Sequence, residues 1–277
     1  MLRRIWQSIC FRWKMAQFGI YYLTSRSFSV HSLRIAGRRV ALSFPEGEKE
    51  ELEYELGKIL FQDCYRLGAV PNPGGIKTVL DIGSNIGLFG IAARHFFPAA
   101  TIHCYEPNGF LEPYLRQHCI PLSIKYHLEA AGAESGYASL ELRENSLHTI
   151  AMAGGTSGVP QIAFRQAIDR LGGSTDVLKL DCEGAEWSLF EDQESWERVG
   201  YLTMEYHLWA RPGANLNDLI QRIDNLGFEC LFVEPSPNGS FGMLQARNRR
   251  FSSTDRSPAR TNSPVQSVQA IAEVPER

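Results

Sequence analysis

The chain has 277 residues, 44% of them hydrophobic and 21% charged, enough for one large domain or two small ones and unlike collagen, a wholly disordered chain or a disulfide miniprotein. Its 28 basic and 31 acidic residues are segregated: residues 1 to 45 hold eight Lys or Arg and no acid, residues 247 to 277 hold six Arg against three acids, and 46 to 246 keep 14 basic against 28 acidic residues. So acidic a middle repels a polyphosphate backbone and argues against a nucleic-acid partner.

The N-terminal segment, 1 to 27, interleaves Arg3, Arg4, Arg12 and Lys14 with Trp6, Phe11, Trp13, Phe18, Tyr21 and Tyr22. It is too short and too charged to span a bilayer and lacks the pattern of a signal peptide. It suits packing on the main domain or peripheral contact with an anionic membrane. Six cysteines without a CxxC or a zinc-like grouping suggest a reducing, cytoplasmic setting.

From 28 to 77 the pattern predicts a hairpin (Ser32 to Ala36 and Arg39 to Phe44, around Gly37) and a helix over Glu48 to Leu67, packing on or capping the core. Pro71, Pro73, Gly74 and Gly75 mark a boundary. Then come a strand over Thr78 to Ile82, a helix from about Asn85 to Phe97, a strand over Thr101 to Tyr105, a helix near Phe110 to His118, a strand over Ile124 to Leu128 and a β pair around Gly136. Further on are a strand over Val177 to Leu180, a helix over Ala185 to Asp192, a strand over Leu202 to Tyr206, a helix over Leu216 to Leu226 stopped by Gly227, and strands at Glu229 to Val233 and Phe241 to Ala246. Strands separated by single helices imply an α/β fold with a mostly parallel sheet covered on both faces, and the closing pair must be antiparallel. From 249 the composition turns to Ser, Thr, Pro, Arg and Gln, which predicts a disordered tail to residue 277.

Ligands of such a sheet sit at the carboxyl ends of its strands. The first strand leaves in VLDIGSNIGLFG, whose DxGxNxG pattern (Asp81 to Gly87) differs from the GxGxxG of dinucleotide sites. A carboxylate at Asp81 sits badly beside pyrophosphate but suits a ligand carrying an ammonium and a sulfonium, such as S-adenosylmethionine. Glu106, at the end of the second strand, can accept hydrogen bonds from both hydroxyls of a ribose. The fourth parallel strand leaves in VLKLDCEGAEW, with Asp181 at the binding edge and Glu183 and Glu186 in the first turn of the next helix, where acids also serve as caps. The fifth ends in LTMEYHLW, where period two puts Glu205 and His207 on one side. Asp181, Glu205 and His207 have an alternative use as divalent-metal ligands, but no ligand spacing supports it and no metal is expected.

Together VLDIGSNIGLFG, CYEPN, AAGAESG, VLKLDCEGAEW and MEYH resemble the FkbM family of S-adenosylmethionine-dependent methyltransferases, over roughly residues 78 to 246; the KxDxEGxE segment from Lys179 to Glu186 is the most specific part. The resemblance implies the class I methyltransferase (Rossmann-like) sheet of seven strands with the last antiparallel, in a domain over 78 to 248. It implies a cofactor site at Asp81, Gly83, Ser84, Asn85, Gly87, Glu106, Pro107, Asn108, Ala131 and Asp181, and O-methylation of a hydroxyl on a sugar, glycan or secondary metabolite. His207 is the first choice of proton acceptor and Asp181 the second, with Glu183, Glu186 and Glu205 shaping the acceptor side. Acceptor choice is expected to lie in residues 28 to 77 and the loop at Ser146 to Gly158. The competing reading is a non-catalytic S-adenosylmethionine-binding module that docks on membranes through its basic front end.

Overall fold

A computed structural model describes residue 13 and residues 15–20, 31–141, 158–251 and, as backbone, 150–153. Most of the basic N-terminal segment and of the acceptor loop, and the tail from residue 252, lie outside them. No described helix is long and apolar enough to cross a membrane.

After a helical stretch at residues 15–17, the next described element is an antiparallel hairpin, β1 (Ser32–Ile35) and β2 (Arg38–Ala41), turned by Ala36 and Gly37. Helix α1 (Lys49–Leu56) follows and widens into a π-helical turn, Gly57–Gln62. It stops short of the expected Leu67 because Asp63 takes a left-handed conformation and its carboxylate accepts from the N–H groups of Leu67 and Gly68, at 2.7 and 2.9 Å.

The main sheet is built from β3 (Thr78–Ile82), β4 (Thr101–Tyr105), β5 (Lys125–His127), β10 (Thr175–Leu180), β11 (Val199–His207), β12 (Phe228–Pro235) and β13 (Phe241–Asn248). Its order is β12-β13-β11-β10-β3-β4-β5, and β13 alone runs against the rest. That is the class I methyltransferase sheet, with its late antiparallel strand inserted beside the fifth parallel one. Period-two alternation sends Val79, Val177 and Tyr201 to one face and Leu80, Leu178 and Leu202 to the other, so two buried cores form. The hairpin, α1, α2 (Leu88–Phe96) and α3 (Glu112–Cys119) cover the first face. The second is covered by α4 (Phe164–Asp169), α5 (Glu186–Leu189), α6 (Gln193–Trp196) and α7 (Leu216–Asn225).

Helix α7 has its ends written in the sequence. Asn215 accepts from the N–H groups of Asn217 and Asp218 while Asp218 accepts from that of Asn215, a capping box, and Gly227 at φ +89° closes the other end. The helix expected over Ala185 to Asp192 covers only Glu186–Leu189; a separate short helix begins at Gln193, capped by Asp192, which accepts from the N–H and hydroxyl of Ser195. A second sheet, order β6-β9-β7-β8, combines β6 (Ala130–Gly132), β7 (Gly136–Glu141), β8 (Ile150–Ala153) and β9 (Val159–Ala163). The β pair around Gly136 belongs to it, whereas β9 and α4 were not expected from the residue pattern.

Candidate functional site

The register of the central strands assembles the site. Asp81 lies opposite Cys104 on one side and Lys179 on the other. The Lys179 ammonium, 2% exposed, stands 3.3 Å from Asp81 Oδ1 and 3.5 Å from Asp181 Oδ2 and donates to the carbonyl of Gly83. Burial works against its charge, but the two aspartates more than offset that and raise its pKa. Asp81 is itself fully buried, with the Cys104 thiol 3.4 Å from Oδ2. This corrects the expected direct grip on a ligand's ammonium: Asp81 faces Lys179 and bears on the cleft only through it.

The loop after β3 is a tight turn between two strand ends. The N–H groups of Gly83 and Ser84 both donate to the carbonyl of Tyr105, and Asn85, at φ +49°, accepts from the N–H of Ile86 at 2.7 Å. Gly83 is at φ +78°, and a Cβ there would lie 1.7 Å from the carbonyl oxygen of Asp181. Its glycine is required by the neighbouring strand end. Gly87, the N-cap of α2, packs toward Cys119 and Leu115 and also stands back from the cleft.

The cleft at the strand ends, with a cavity volume of ≈ 80 Å³, is walled by Gly83, Asn85, Glu106, Pro107, Ala131, Asp181 and Glu183 of the expected residues. Ile82, Tyr105, Glu129, Ala130, Cys182 and Ala185 join them without having been anticipated. Ser84 opens instead into the adjoining hollow beside α1, and Asn108 supports the wall from behind. Glu106 is 6% exposed; Oε1 accepts from the N–H of Asn108 and Oε2 from that of Asn85, each at 2.9 Å. Burial raises its pKa to about 7 in spite of those two hydrogen bonds.

Strand β11 continues past β10, whose Leu180 pairs with Met204, so Glu205 and His207 stand beside Asp181. Asp181 Oδ2 accepts from the hydroxyl of Tyr65 at 2.8 Å, and Thr203 fixes Tyr65 by donating to its carbonyl. Burial disfavours the Asp181 carboxylate, but Lys179 and His207 outweigh it and hold its pKa below the usual range. His207 is 4% exposed, with Nδ1 3.0 Å from Glu186 Oε1 and Nε2 3.7 and 3.8 Å from carboxylate oxygens of Glu183 and Glu205. Burial alone would lower its pKa; the hydrogen bond and charge of Glu186, with Asp181 and Glu183, raise it to about 9. Glu205 is pushed up to about 8, first by burial and then by the charge of Asp181. Glu183, Glu186, Glu205 and His207 thus do come together, but only Glu183 reaches the cleft wall. Tyr65 and Lys179 are members of the site that sequence reasoning missed. Lys179 carried a signal, its place in the Lys179 to Glu186 motif, whereas nothing near Tyr65 points to a residue 116 positions away.

Fold and site together define a class I methyltransferase architecture whose strand-end cleft is acidic. Among particular proteins, the chain is similar to "Methyltransferase 1" of Beauveria bassiana (strain ARSEF 2860), 22% identical over 187 residues that cover 57% of this chain and 74% of that protein. No protein-family profile matches it. Solved structures similar to it include the magnesium protoporphyrin IX methyltransferase of Synechocystis PCC 6803 with bound SAM, 11% identical, covering 74% of this chain and 86% of that one at a TM-score of 0.44. The fibrillarin pre-rRNA processing protein of Methanococcus jannaschii is 9% identical and covers 82% of this chain and 98% of that one at a TM-score of 0.46.

Proposed function

We propose that the chain is an S-adenosylmethionine-dependent methyltransferase acting on a hydroxyl oxygen of a sugar, glycan or secondary metabolite. The observation that carries this is the charge of the cleft wall: Glu106, Glu129, Asp181 and Glu183 line it, and no Lys or Arg does. Glu129 is ion-paired with Arg170 and Asp181 with Lys179, which offsets part of that charge from behind the wall. Such a wall opposes the pyrophosphate of a dinucleotide and attracts a ligand bearing a sulfonium and an ammonium. Glu106 fits the sugar end, because each oxygen has accepted one backbone N–H and a carboxylate has about four acceptor sites, so two hydroxyls can still donate to it.

When bound, the donor supplies an activated methyl whose carbon–sulfur bond breaks as the carbon–oxygen bond forms, leaving a neutral thioether. The chain's own residues have to align the acceptor, exclude water and accept the hydroxyl proton. Asp181 takes precedence over His207 for that proton. It stands on the cleft wall, with Oδ2 held by Tyr65 and Lys179. His207 stands behind Glu183 and Glu205.

Calorimetric titration of the full chain with S-adenosylmethionine, and separately with NAD, tests the first half. Heat and thermal stabilisation are expected only from the former; their absence at saturating ligand overturns the proposal. Mass-spectrometric screening of hydroxylated acceptors for the gain of a methyl group tests the second half. S-adenosylhomocysteine produced in step with that gain separates an enzyme from a binding module.

A further inference from the structure

We propose that Asp181, Glu205 and His207 form a site for one divalent cation, of the Mn²⁺ or Mg²⁺ kind, at the acceptor end of the cleft. One ligand atom from each lies within 4.8 Å of the other two. An ion with bonds of about 2.0–2.2 Å draws its ligand atoms to between about 3 and 4.4 Å apart, so side-chain rotations of a few tenths of an ångström complete the site. Two carboxylate oxygens and one imidazole nitrogen make a mixed, oxygen-rich set that leaves positions for water or an acceptor oxygen.

The histidine is what separates this group from an ordinary acidic cluster. His207 is 4% exposed, and its Nε2 makes no hydrogen bond although it faces Glu183 Oε2 at 3.7 Å and Glu205 Oε1 at 3.8 Å. Those gaps fall within the span of about 3–4.4 Å that two ligand atoms of one ion keep. On the other side of the ring, Nδ1 lies 3.0 Å from Glu186 Oε1, which also accepts from the N–H of Cys182 at 3.0 Å. A carboxylate so fixed holds one ring proton on Nδ1, so that an ion displacing the proton on Nε2 meets a lone pair aimed inward, the arrangement that outer partners give metal-binding histidines. Glu186 Oε2 is buried without a hydrogen-bond partner, so the ring and the N–H of Cys182, both on Oε1, hold this acid in place. Asp181 is oriented in the same way, its Oδ2 held by Tyr65 and Lys179.

Asp181 also lines the cleft, so an open position on the ion would face it. The ion's part in catalysis rests on the methyl-transfer proposal, though the site itself does not. There the ion would lower the pKa of an acceptor hydroxyl, whose proton could pass to water as its oxygen takes the methyl group. Asp181 then holds the ion rather than the proton.

The test uses the full chain freed of metal with a chelator and then dialysed, with no methyl donor present. Free Mn²⁺ is followed by electron paramagnetic resonance and binding by calorimetry. One Mn²⁺ per chain is expected, displaced by excess Mg²⁺. Glu205→Gln and His207→Gln should each weaken binding at least tenfold, and Glu186→Gln, which acts through the ring, by about 10- to 100-fold. Glu191→Gln, on the surface beside Arg222, should change nothing. If His207→Gln does not fold, the isosteric Glu205→Gln decides alone. No binding at millimolar Mn²⁺, or binding indifferent to Glu205→Gln, overturns the inference and leaves an adventitious ion only. A parallel titration with S-adenosylmethionine in excess chelator reports on the methyltransferase proposal: Mn²⁺ bound without S-adenosylmethionine defeats that proposal, and the reverse result defeats this one.

Discussion

Replacing Gly83 by Ala probes the joint between the two strand ends that frame the cleft. The new Cβ would sit 1.7 Å from the Asp181 carbonyl oxygen and 2.6 Å from its carbon, where 3.0 Å is the closest a real Cβ comes. The ends of β3 and β10 must therefore part by roughly 1.3 Å, an overpacking typically worth about 1–3 kcal/mol. A left-handed conformation at φ +78° adds about 1–2 kcal/mol for any residue with a Cβ. The sum, about 2–5 kcal/mol, is a large share of the ~5–15 kcal/mol by which domains are stable. Gly227→Ala is the internal standard: φ is +89° and nothing lies within 4 Å of the added carbon, so it carries the conformational cost without the collision. Urea unfolding followed by tryptophan fluorescence should place Gly83→Ala below Gly227→Ala at unchanged m-value. Equal losses for the two variants would refute the claim that Asp181 is what requires the glycine.

Lys179→Met removes the ammonium shared by the buried Asp81 and the half-buried Asp181 and should cost about 3–5 kcal/mol, with part recovered in the double variant Asp81→Asn/Lys179→Met; thermal unfolding of the set reads this out. Tyr65→Phe deletes one hydrogen bond to a carboxylate and should cost about 1.5–3 kcal/mol in the same assay, while the hydrogen bond from Thr203 to the backbone of residue 65 survives. Glu106, raised to about 7, must be ionised to serve sugar hydroxyls, so S-adenosylmethionine affinity should fall up to tenfold per pH unit below about 7 and level off above it. Calorimetry in buffers of different ionisation heat should show close to one proton released at pH 6, and the pH dependence should vanish in Glu106→Gln. The linked stability of the ligand-free protein runs the other way: a carboxyl whose folded pKa is raised lowers stability as pH climbs from about 4.5 to about 7.

What could be read from the chain alone was what is local. A strand, a glycine turn and an acid at a fixed distance are encoded within a few residues, so Glu106, Asn85 and Asp181 were found on the cleft. The helical pattern from Leu216 to Leu226 and the stop at Gly227 placed α7 to within a residue. Residues whose role depends on register across strands escaped. Asp81 reads as a ligand acid until Lys179 is placed opposite it. Strand β9 offers only five residues, one of them Pro160, before α4 begins at once, too brief a pattern to show its period. Helix α1 keeps its apolar spacing through Ile59 and Leu60, and only the side chain of Asp63, folding back on the next turn, ends it early.

The position of β13 bears on how the molecule is made. This strand, near the end of the described chain, lies between β11 and β12 and pairs with both. During synthesis, which proceeds from the N-terminus at roughly 5–20 residues per second, β11 keeps one bare edge until Asn248 has emerged. The nascent chain must therefore wait with a sticky flank on the very strand that bears Glu205 and His207, and a stop codon shortly before residue 241 would leave that flank open for good.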